Sequence, residues 1–210
     1  MTQPTVIHLV RHGEVHNPTG VLYARLPGFR LSARGQQQAR AAGEALRARP
    51  LATLFSSPQQ RAQETAALIA AARGGCDVRV EPLIDEILTP HQGRPLAEME
   101  AAGWDLYTGI PAGYERPVDI LRRTQAFINR VRAEHAGQEV AAVTHGDIIT
   151  FMILWASGVP VDGADPGDRF ELLVRLGLPE VYPATASIST FTYSSAALDA
   201  VPAFSYLRPY

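Results

Sequence analysis

The segment "TVIHLVRHGEVHN" (residues 5–17) joins an apolar, β-branched run to two cations, a glycine and a carboxylate. Residues 5–10 predict a short buried strand, because apolar residues follow one another and the run stops abruptly. Arg11 and His12 come directly at its end. Because ligands of open parallel sheets bind beyond the carboxyl ends of the strands, this corner is a candidate binding site.

Outward from this corner, the sequence alternates between strand and helix patterns. Further buried strands are predicted at 51–57, 77–81 and 139–147, and helices at 32–49, 57–73, 117–135 and 148–157. Ser32 is the predicted N-cap of the first helix, and Pro58 is predicted at the first position of the second. Alternating residues at 169–176 and 186–194 predict antiparallel edge strands.

These elements predict an α/β fold with a mostly parallel central sheet and helices on both faces. Residues 86–113 lose periodicity and gain glycine and proline, so we expect a small insertion, or cap, outside the sheet. The length of 210 residues suits one domain spanning 1–210. An exposed strand at 186–194 would also offer an edge for a homodimer.

Composition excludes several classes of function. The formal net charge is -2, without the sustained basic face of a nucleic-acid or membrane-surface binder. All 19 basic residues are arginine, so no lysine is available for a Schiff base or a P-loop. Cys76 is the only cysteine, which excludes an intrachain disulfide and a cysteine-rich zinc site. No signal-peptide or membrane-spanning pattern is present, so we expect a cytoplasmic protein.

Three predicted strand ends carry unusual chemistry: Arg11–His12, the turn from Ser57 to Arg61, and His145. A phosphomonoester is close to a dianion at neutral pH and needs several fixed donors and positive charge. Arginine offers a planar fork that matches phosphate oxygens, and Arg61 also lies in the first turn of a predicted helix, where free N–H groups favour anions. Gly13 removes side-chain bulk where a substrate approaches the backbone.

Histidine is the remaining candidate nucleophile, because neither a lysine nor a metal motif is present. A neutral His12 imidazole can attack phosphorus and form a phosphohistidine, while His145 donates to the equatorial oxygens. An acid must protonate the leaving alkoxide. Glu86 and Asp85 compete for that role in "LIDEIL" (residues 83–88).

Four blocks in order, "LVRHGE", "SSPQQRAQETA", "DE" at 85–86 and "VTHGD", resemble the histidine phosphatase superfamily, the phosphoglycerate mutase-like proteins. "RLPGFRLSARGQQQA" (residues 25–39) is similar to that family's pattern as well. The resemblance implies that His12 is the phosphorylated nucleophile and that Arg11, Arg61 and His145 form the phosphate pocket. It favours Glu86 over Asp85 as the proton donor that later activates water.

The resemblance also suggests that Asn17 touches the phosphate, although many members have the asparagine one residue later, where this sequence has Pro18. Arg25 is a candidate contact on the substrate side. After Glu86, "EILTPHQGRPLAEM" departs from the Gly…Trp-Glu-Gly segment of other members, which leaves the substrate-facing cap undefined. The roles of Glu14, Glu115 and His91 stay open, and neither a metal nor a cofactor is expected.

The sequence therefore predicts a phosphatase that acts on a small phosphorylated substrate. The alternative is a mutase of the same fold, which shelters its phosphoenzyme under longer insertions than the 86–113 segment. A non-catalytic binding protein of this fold is a third hypothesis, and it is disfavoured because the nucleophile, both arginines and the acid are all present.

Overall fold

A computed structural model describes residues 3–161 and 169–210 of the chain. A six-stranded sheet lies at its centre, with the strand order β3-β2-β4-β1-β5-β6. In chain order the strands are β1 (Thr5–Arg11), β2 (Leu51–Ser56), β3 (Val78–Val80), β4 (Glu139–Thr144), β5 (Ile188–Tyr193) and β6 (Ala203–Leu207).

The first four strands are parallel to one another. β5 runs antiparallel to them, and β6 runs antiparallel to β5 and therefore in the direction of the first four. β1 pairs with β4 in parallel and with β5 in antiparallel orientation, so it lies in the interior of the sheet. Residues 5–10 are all buried, which agrees with the uninterrupted apolar pattern of a strand covered on both faces. The prediction of a largely parallel α/β sheet is confirmed.

Helices cover both faces of the sheet. They are α1 (Ala33–Ala45), α2 (Gln60–Ala72), α3 (Leu96–Ala101), α4 (Pro117–Glu134), α5 (Gly146–Ala156) and α6 (Arg169–Arg175). The side chain of Ser32 accepts a hydrogen bond from the backbone N–H of Gly35, so the predicted N-cap of α1 is confirmed. α1 ends at Ala45, four residues before the predicted end.

Successive residues of the central strands β1, β2 and β4 contribute to two separate cores. Val10 of β1 packs with the alanine-rich faces of α1 and α2, whereas Ile7 and Leu9 pack with α4 and α5. The small side chains on α1 and α2 let these helices lie close to each other and to the sheet. Burial on both sides holds the strand ends in register and therefore fixes the position of the loops that follow them.

Two expectations about the C-terminal region were wrong. Residues 169–175 form the helix α6 and not a strand. Short apolar runs fit both periods, and burial of Leu173 against the core beside α5 selects the helix. β5 is paired on both sides, by β1 and by β6, so residues 186–194 offer no free edge for a dimer. β6, which was not predicted, forms that edge of the sheet.

Two boundaries near the candidate site also differ from expectation. α2 begins at Gln60 with Gln59 as its N-cap, so Pro58 precedes the helix instead of occupying its first position. β4 ends at Thr144, and His145 is the N-cap of α5. The segment 86–113 lies outside the sheet as expected and contains α3. Within residues 3–161 and 169–210, no helix is long and apolar enough to span a membrane.

Candidate active site

The three unusual strand ends meet at one edge of the sheet. The backbone N–H of His12 donates to the carbonyl of Thr144 at 3.0 Å, and that of Ser57 donates to the carbonyl of Val143 at 2.9 Å. These bonds continue the parallel ladders of β1, β4 and β2 by one residue. The loops after the three strands therefore begin side by side.

His12 is buried and held in one tautomer. Its Nδ1 lies 2.8 Å from the carbonyl oxygen of Gly13, and a carbonyl can only accept, so Nδ1 carries the proton. The lone pair of the neutral ring is then on Nε2. Burial, together with the charges of Arg61, His145 and Arg11, holds the pKa of His12 well below 6.5. The imidazole is therefore neutral at physiological pH, as a nucleophile must be.

Arg61 is the most deeply buried cation of the site, with 1% of its surface exposed. Its Nη2 donates to the carbonyl of Ala24 at 2.8 Å and lies 3.0 Å from Glu86 Oε2. The guanidinium also stacks on the ring of Tyr23, 4.7 Å from the ring centroid. These contacts fix the plane of the guanidinium before any ligand arrives, which lowers the cost of ordering it on binding.

Arg11 approaches from the other side of His12. Its Nη1 donates to the carbonyl of Pro183 at 2.7 Å, and its guanidinium lies 4.8 Å from the ring centroid of Tyr182. Within residues 3–161 and 169–210, the Nε–H groups of Arg11 and Arg61 are buried and have no hydrogen-bond partner. Burial of an N–H donor without an acceptor is unfavourable in free energy, and an anion with several oxygens can accept a hydrogen bond from each of these groups.

His145 and Glu86 complete the cluster. The His145 ring lies 5.3 Å from the His12 ring between centroids, with Nε2 2.7 Å from the Ser57 hydroxyl and Nδ1 3.2 Å from Glu86 Oε2. Burial lowers the pKa of His145. Burial alone would raise the pKa of Glu86, but His145 and Arg61 hold it well below 4.5, so the carboxylate is ionised when the site is free.

The structure separates the two acids that compete in the sequence. Asp85 Oδ1 accepts from the Gln59 side chain at 2.8 Å and from the backbone N–H of Glu86 at 2.7 Å, and its Oδ2 lies 3.4 Å from Arg25 Nε. Its oxygens are thus occupied by the loop itself. Glu86 lines the cavity, so its geometry suits proton transfer better.

Three of these side chains also have the composition of a metal site. Donor atoms of His12, Glu86 and His145 lie within 4.8 Å of one another. However, Arg61 Nη2 lies 3.0 Å from the Glu86 carboxylate and 3.3 Å from His145 Nδ1, so a cation would lie beside a guanidinium. Coulomb repulsion at that separation disfavours a metal, whereas an anion is attracted.

A cavity of about 470 Å³ opens over this cluster. Arg11, His12 and Glu86 line it together with a larger number of apolar side chains. The volume is within the range of sites for small organic ligands. The arrangement of a neutral histidine, two cations and one carboxylate can bind a phosphoryl group and transfer it to the imidazole.

Comparison with known proteins identifies the family. The family model described as the histidine phosphatase superfamily (branch 1) matches residues 7–169. The chain belongs to the histidine phosphatase superfamily. An uncharacterised protein of Mycobacterium tuberculosis is 41% identical over 75% of this chain and 81% of its own length. Phosphoglycerate mutase-like protein 4 of Arabidopsis thaliana is 30% identical over 68% of this chain and 67% of its own.

Solved structures share the fold of this chain. The native mycobacterial glucosyl-3-phosphoglycerate phosphatase superposes with a TM-score of 0.75, covers 97% of both chains and has 23% sequence identity. Its complex with VO3 matches with a TM-score of 0.70 and 26% identity, over 89% of this chain and 92% of that one. The family model confirms the predicted family, and the superpositions confirm the predicted fold class.

Two predicted contact residues of this superfamily chain take other positions. The Asn17 amide closes its own loop, donating to the carbonyl of Val21 at 2.9 Å and accepting from its N–H at 3.3 Å. Arg25 donates from Nε to the carbonyl of Glu86 at 2.7 Å and from Nη2 to Glu115 at 3.0 Å. Both side chains are thus engaged by loop atoms, and Arg25 supports the loop that carries Glu86.

Gly13 has a packing role in addition to the one predicted for it. A Cβ at this position would lie 2.4 Å from the carbonyl oxygen of Gly35, and a Cβ on Gly35 would lie 2.0 Å from the carbonyl oxygen of Glu14. The two glycines let the loop after β1 cross the first turn of α1 in backbone contact. The lack of a side chain thus serves helix packing beside the nucleophile.

The residues with unassigned roles also have clear positions. Glu14 accepts from the Ser32 hydroxyl at 2.7 Å and ties the loop after β1 to α1. Glu115 accepts hydrogen bonds from Arg123 Nε at 2.6 Å and from Arg25 Nη2 at 3.0 Å, and so anchors the loop that carries Glu86. His91 lies 3.2 Å from Arg94 Nη1 and away from the cavity wall.

Sequence reasoning missed several aromatic residues of the site. Tyr23 lies under Arg61, and Tyr182 lies under Arg11. The Tyr182 hydroxyl donates to Asp147 at 2.9 Å, and a Cβ on Gly146 would overlap the Tyr182 ring. One member of this pair, Asp147, belongs to the "VTHGD" block, two residues after His145. Nothing in the sequence identifies the distant Tyr182 as its partner.

Proposed function

We propose that this protein is a phosphatase that hydrolyses a small phosphomonoester through a phosphohistidine on His12. The observation that supports this most is a neutral, buried imidazole next to two guanidiniums whose buried Nε–H groups lack partners among the described residues. Such a site attracts a dianion and presents a nucleophile to it. Its family membership is consistent with this chemistry, and the glucosyl-3-phosphoglycerate phosphatase is a phosphatase with the same fold.

In the first half-reaction, His12 Nε2 attacks phosphorus and the bond from phosphorus to the alcohol oxygen breaks. Arg11, Arg61 and His145 stabilise the charge on the equatorial oxygens. Glu86 gives a proton to the leaving oxygen. In the second half-reaction, Glu86 takes a proton from water, the hydroxide attacks phosphorus, and the bond from phosphorus to Nε2 breaks to release phosphate.

Glu86 must gain a proton before it can act as an acid, because its pKa is well below 4.5 in the free site. A bound phosphate dianion supplies the reason. It adds negative charge beside the carboxylate and partly neutralises the positive charge of Arg61, and both effects raise the pKa of Glu86. Substrate binding is thus coupled to proton uptake.

The test is hydrolysis of p-nitrophenyl phosphate in the presence of a chelator, with trapping of an acid-labile, base-stable phosphoenzyme. His12→Ala should lower turnover by at least about 10³-fold and abolish trapping. His16→Ala is a matched control, because this histidine is exposed in the same loop. Reversible loss of activity in chelator, or trapping that survives His12→Ala, contradicts the proposal.

The acid role has its own readout. Glu86→Gln should slow hydrolysis of an alkyl phosphate much more than that of p-nitrophenyl phosphate, whose leaving group needs little protonation. Equal losses on both esters contradict this role. A strict requirement for a bisphosphate primer would favour the mutase alternative over hydrolysis.

A further inference from the structure

Beside the charged residues Arg11 and Glu86 and the nucleophile His12, the cavity is lined largely by apolar side chains. Its wall comes from the loop before α1, the segment around α3 and the residues near α6: Leu22, Ile87, Leu96, Trp104, Leu106 and Phe170. The alcohol half of a substrate whose phosphate is bound at His12 must occupy the rest of this cavity and therefore contact this wall. The wall therefore selects the leaving group.

Three polar side chains that line the cavity are engaged within the protein: Asp147, Tyr182 and Arg169. Asp147 accepts from the Tyr107 hydroxyl at 2.5 Å and from the Tyr182 hydroxyl at 2.9 Å. Burial, followed by the charge of Asp147, raises the pKa of both tyrosines well above 10, so both stay protonated and keep donating. Arg169 donates from Nη2 to the carbonyl of Trp104 at 2.7 Å.

A hydroxyl-rich leaving group would lose its water against such a wall and find few partners among the residues that the structure describes there. Uncompensated burial of a hydroxyl is unfavourable, whereas burial of each methylene group improves binding by about 4-fold. We propose that the substrate is a phosphomonoester of an apolar alcohol, whose hydrocarbon or aromatic part packs against the wall around Trp104. This inference rests on the phosphatase function proposed above and adds the class of substrate.

The backbone at Trp104 supports a role for its side chain. Trp104 has a φ of 60°, directly after Gly103 with a φ of 64° at the end of α3. A bulky residue in this left-handed region is strained, and glycine or asparagine would fit the turn with less cost. The side chain of Trp104 therefore contributes something that the turn itself does not need: it packs against the hydrophobic core and forms part of the cavity wall.

The test compares two esters of primary alcohols, so that the leaving oxygens have similar basicity. We expect kcat/KM for 3-phenylpropyl phosphate to exceed that for glycerol 3-phosphate by about 100-fold. Binding is measured separately by calorimetry with two inert probes, 3-phenylpropylphosphonate and methylphosphonate. The former should bind at least about 10-fold more tightly.

Trp104→Gly removes the side chain and relieves the turn, so the variant should fold, which a thermal melt checks. It should lower kcat/KM for 3-phenylpropyl phosphate by about 10-fold to 100-fold and that for glycerol 3-phosphate by less than about 3-fold. Tyr114→Ala is the control, because Tyr114 is 37% exposed and lies outside the wall.

The outcomes separate the two proposals. Equal or faster hydrolysis of glycerol 3-phosphate overturns the apolar leaving group while leaving the phosphatase function intact. Equal affinity for the two phosphonates overturns it as well. If no ester is hydrolysed but 3-phenylpropylphosphonate binds tightly and Trp104→Gly weakens it, the apolar subsite stands and the phosphatase function fails.

Discussion

Substitution of Gly35 by alanine tests the backbone crossing that holds the nucleophile loop. The new Cβ would lie 2.0 Å from the Glu14 carbonyl oxygen, whereas real Cβ contacts are essentially never under 3.0 Å. Loop and helix must therefore separate by about 1 Å. Both partners are backbone, so no side chain can rotate away to relieve the contact.

The shift has a cost in stability and a cost in activity. Overpacking costs about 1–3 kcal/mol, and strain on the Ser32 cap, whose hydroxyl accepts from Gly35 N–H at 2.9 Å, adds up to about 1 kcal/mol. The higher helix propensity of alanine offsets about 1 kcal/mol. A net loss of about 2 kcal/mol lowers Tm by about 4–8 °C for a chain of this size. Displacement of His12 by a fraction of 1 Å should also reduce kcat by about 10-fold to 100-fold.

Calorimetric melting and p-nitrophenyl phosphate turnover measure the two effects. Gln37→Ala is the matched control, because Gln37 is exposed on the same helix and should change stability by no more than about 0.5 kcal/mol. If Gly35→Ala melts at or above the wild-type temperature, helix propensity outweighs the contact and the account of Gly13 and Gly35 is wrong.

Two further predictions concern titration and support of the site. Burial and the neighbouring charges lower the pKa of His12, so the neutral imidazole should persist as pH falls below 6.5. An NMR titration, with the His12 signal assigned by comparison with His12→Ala, checks this. A titration midpoint at or above 6.5 refutes it. Glu115→Gln weakens the clamp on the loop that carries Glu86 and should lower kcat about 10-fold with little change in KM. Glu44→Gln, which removes only an exposed ion pair, should leave kcat unchanged, and an equal loss in both variants would contradict the clamp.

Much of the site could be predicted because its key residues follow strands directly. Arg11 and His12 end β1, and His145 follows β4, so the topology of a parallel sheet is enough to bring them together. The N-cap at Ser32 and the alternation of strands and helices could also be predicted, because both are encoded in residues close together in the sequence. Family membership could be read from the same blocks, since each block is short and contiguous.

The tertiary structure decided what depends on distant partners. The helix at 169–175, the interior position of β5 and the edge strand β6 follow from burial and pairing that local periodicity does not contain. The same holds for Arg25, which pairs with a residue 90 positions away, and for Tyr182, which lies under Arg11. The order of residues along the chain therefore determines which side chains lie at the strand ends. Long-range packing determines the protonation of those side chains and the composition of the apolar wall, because each depends on which residues are buried beside it.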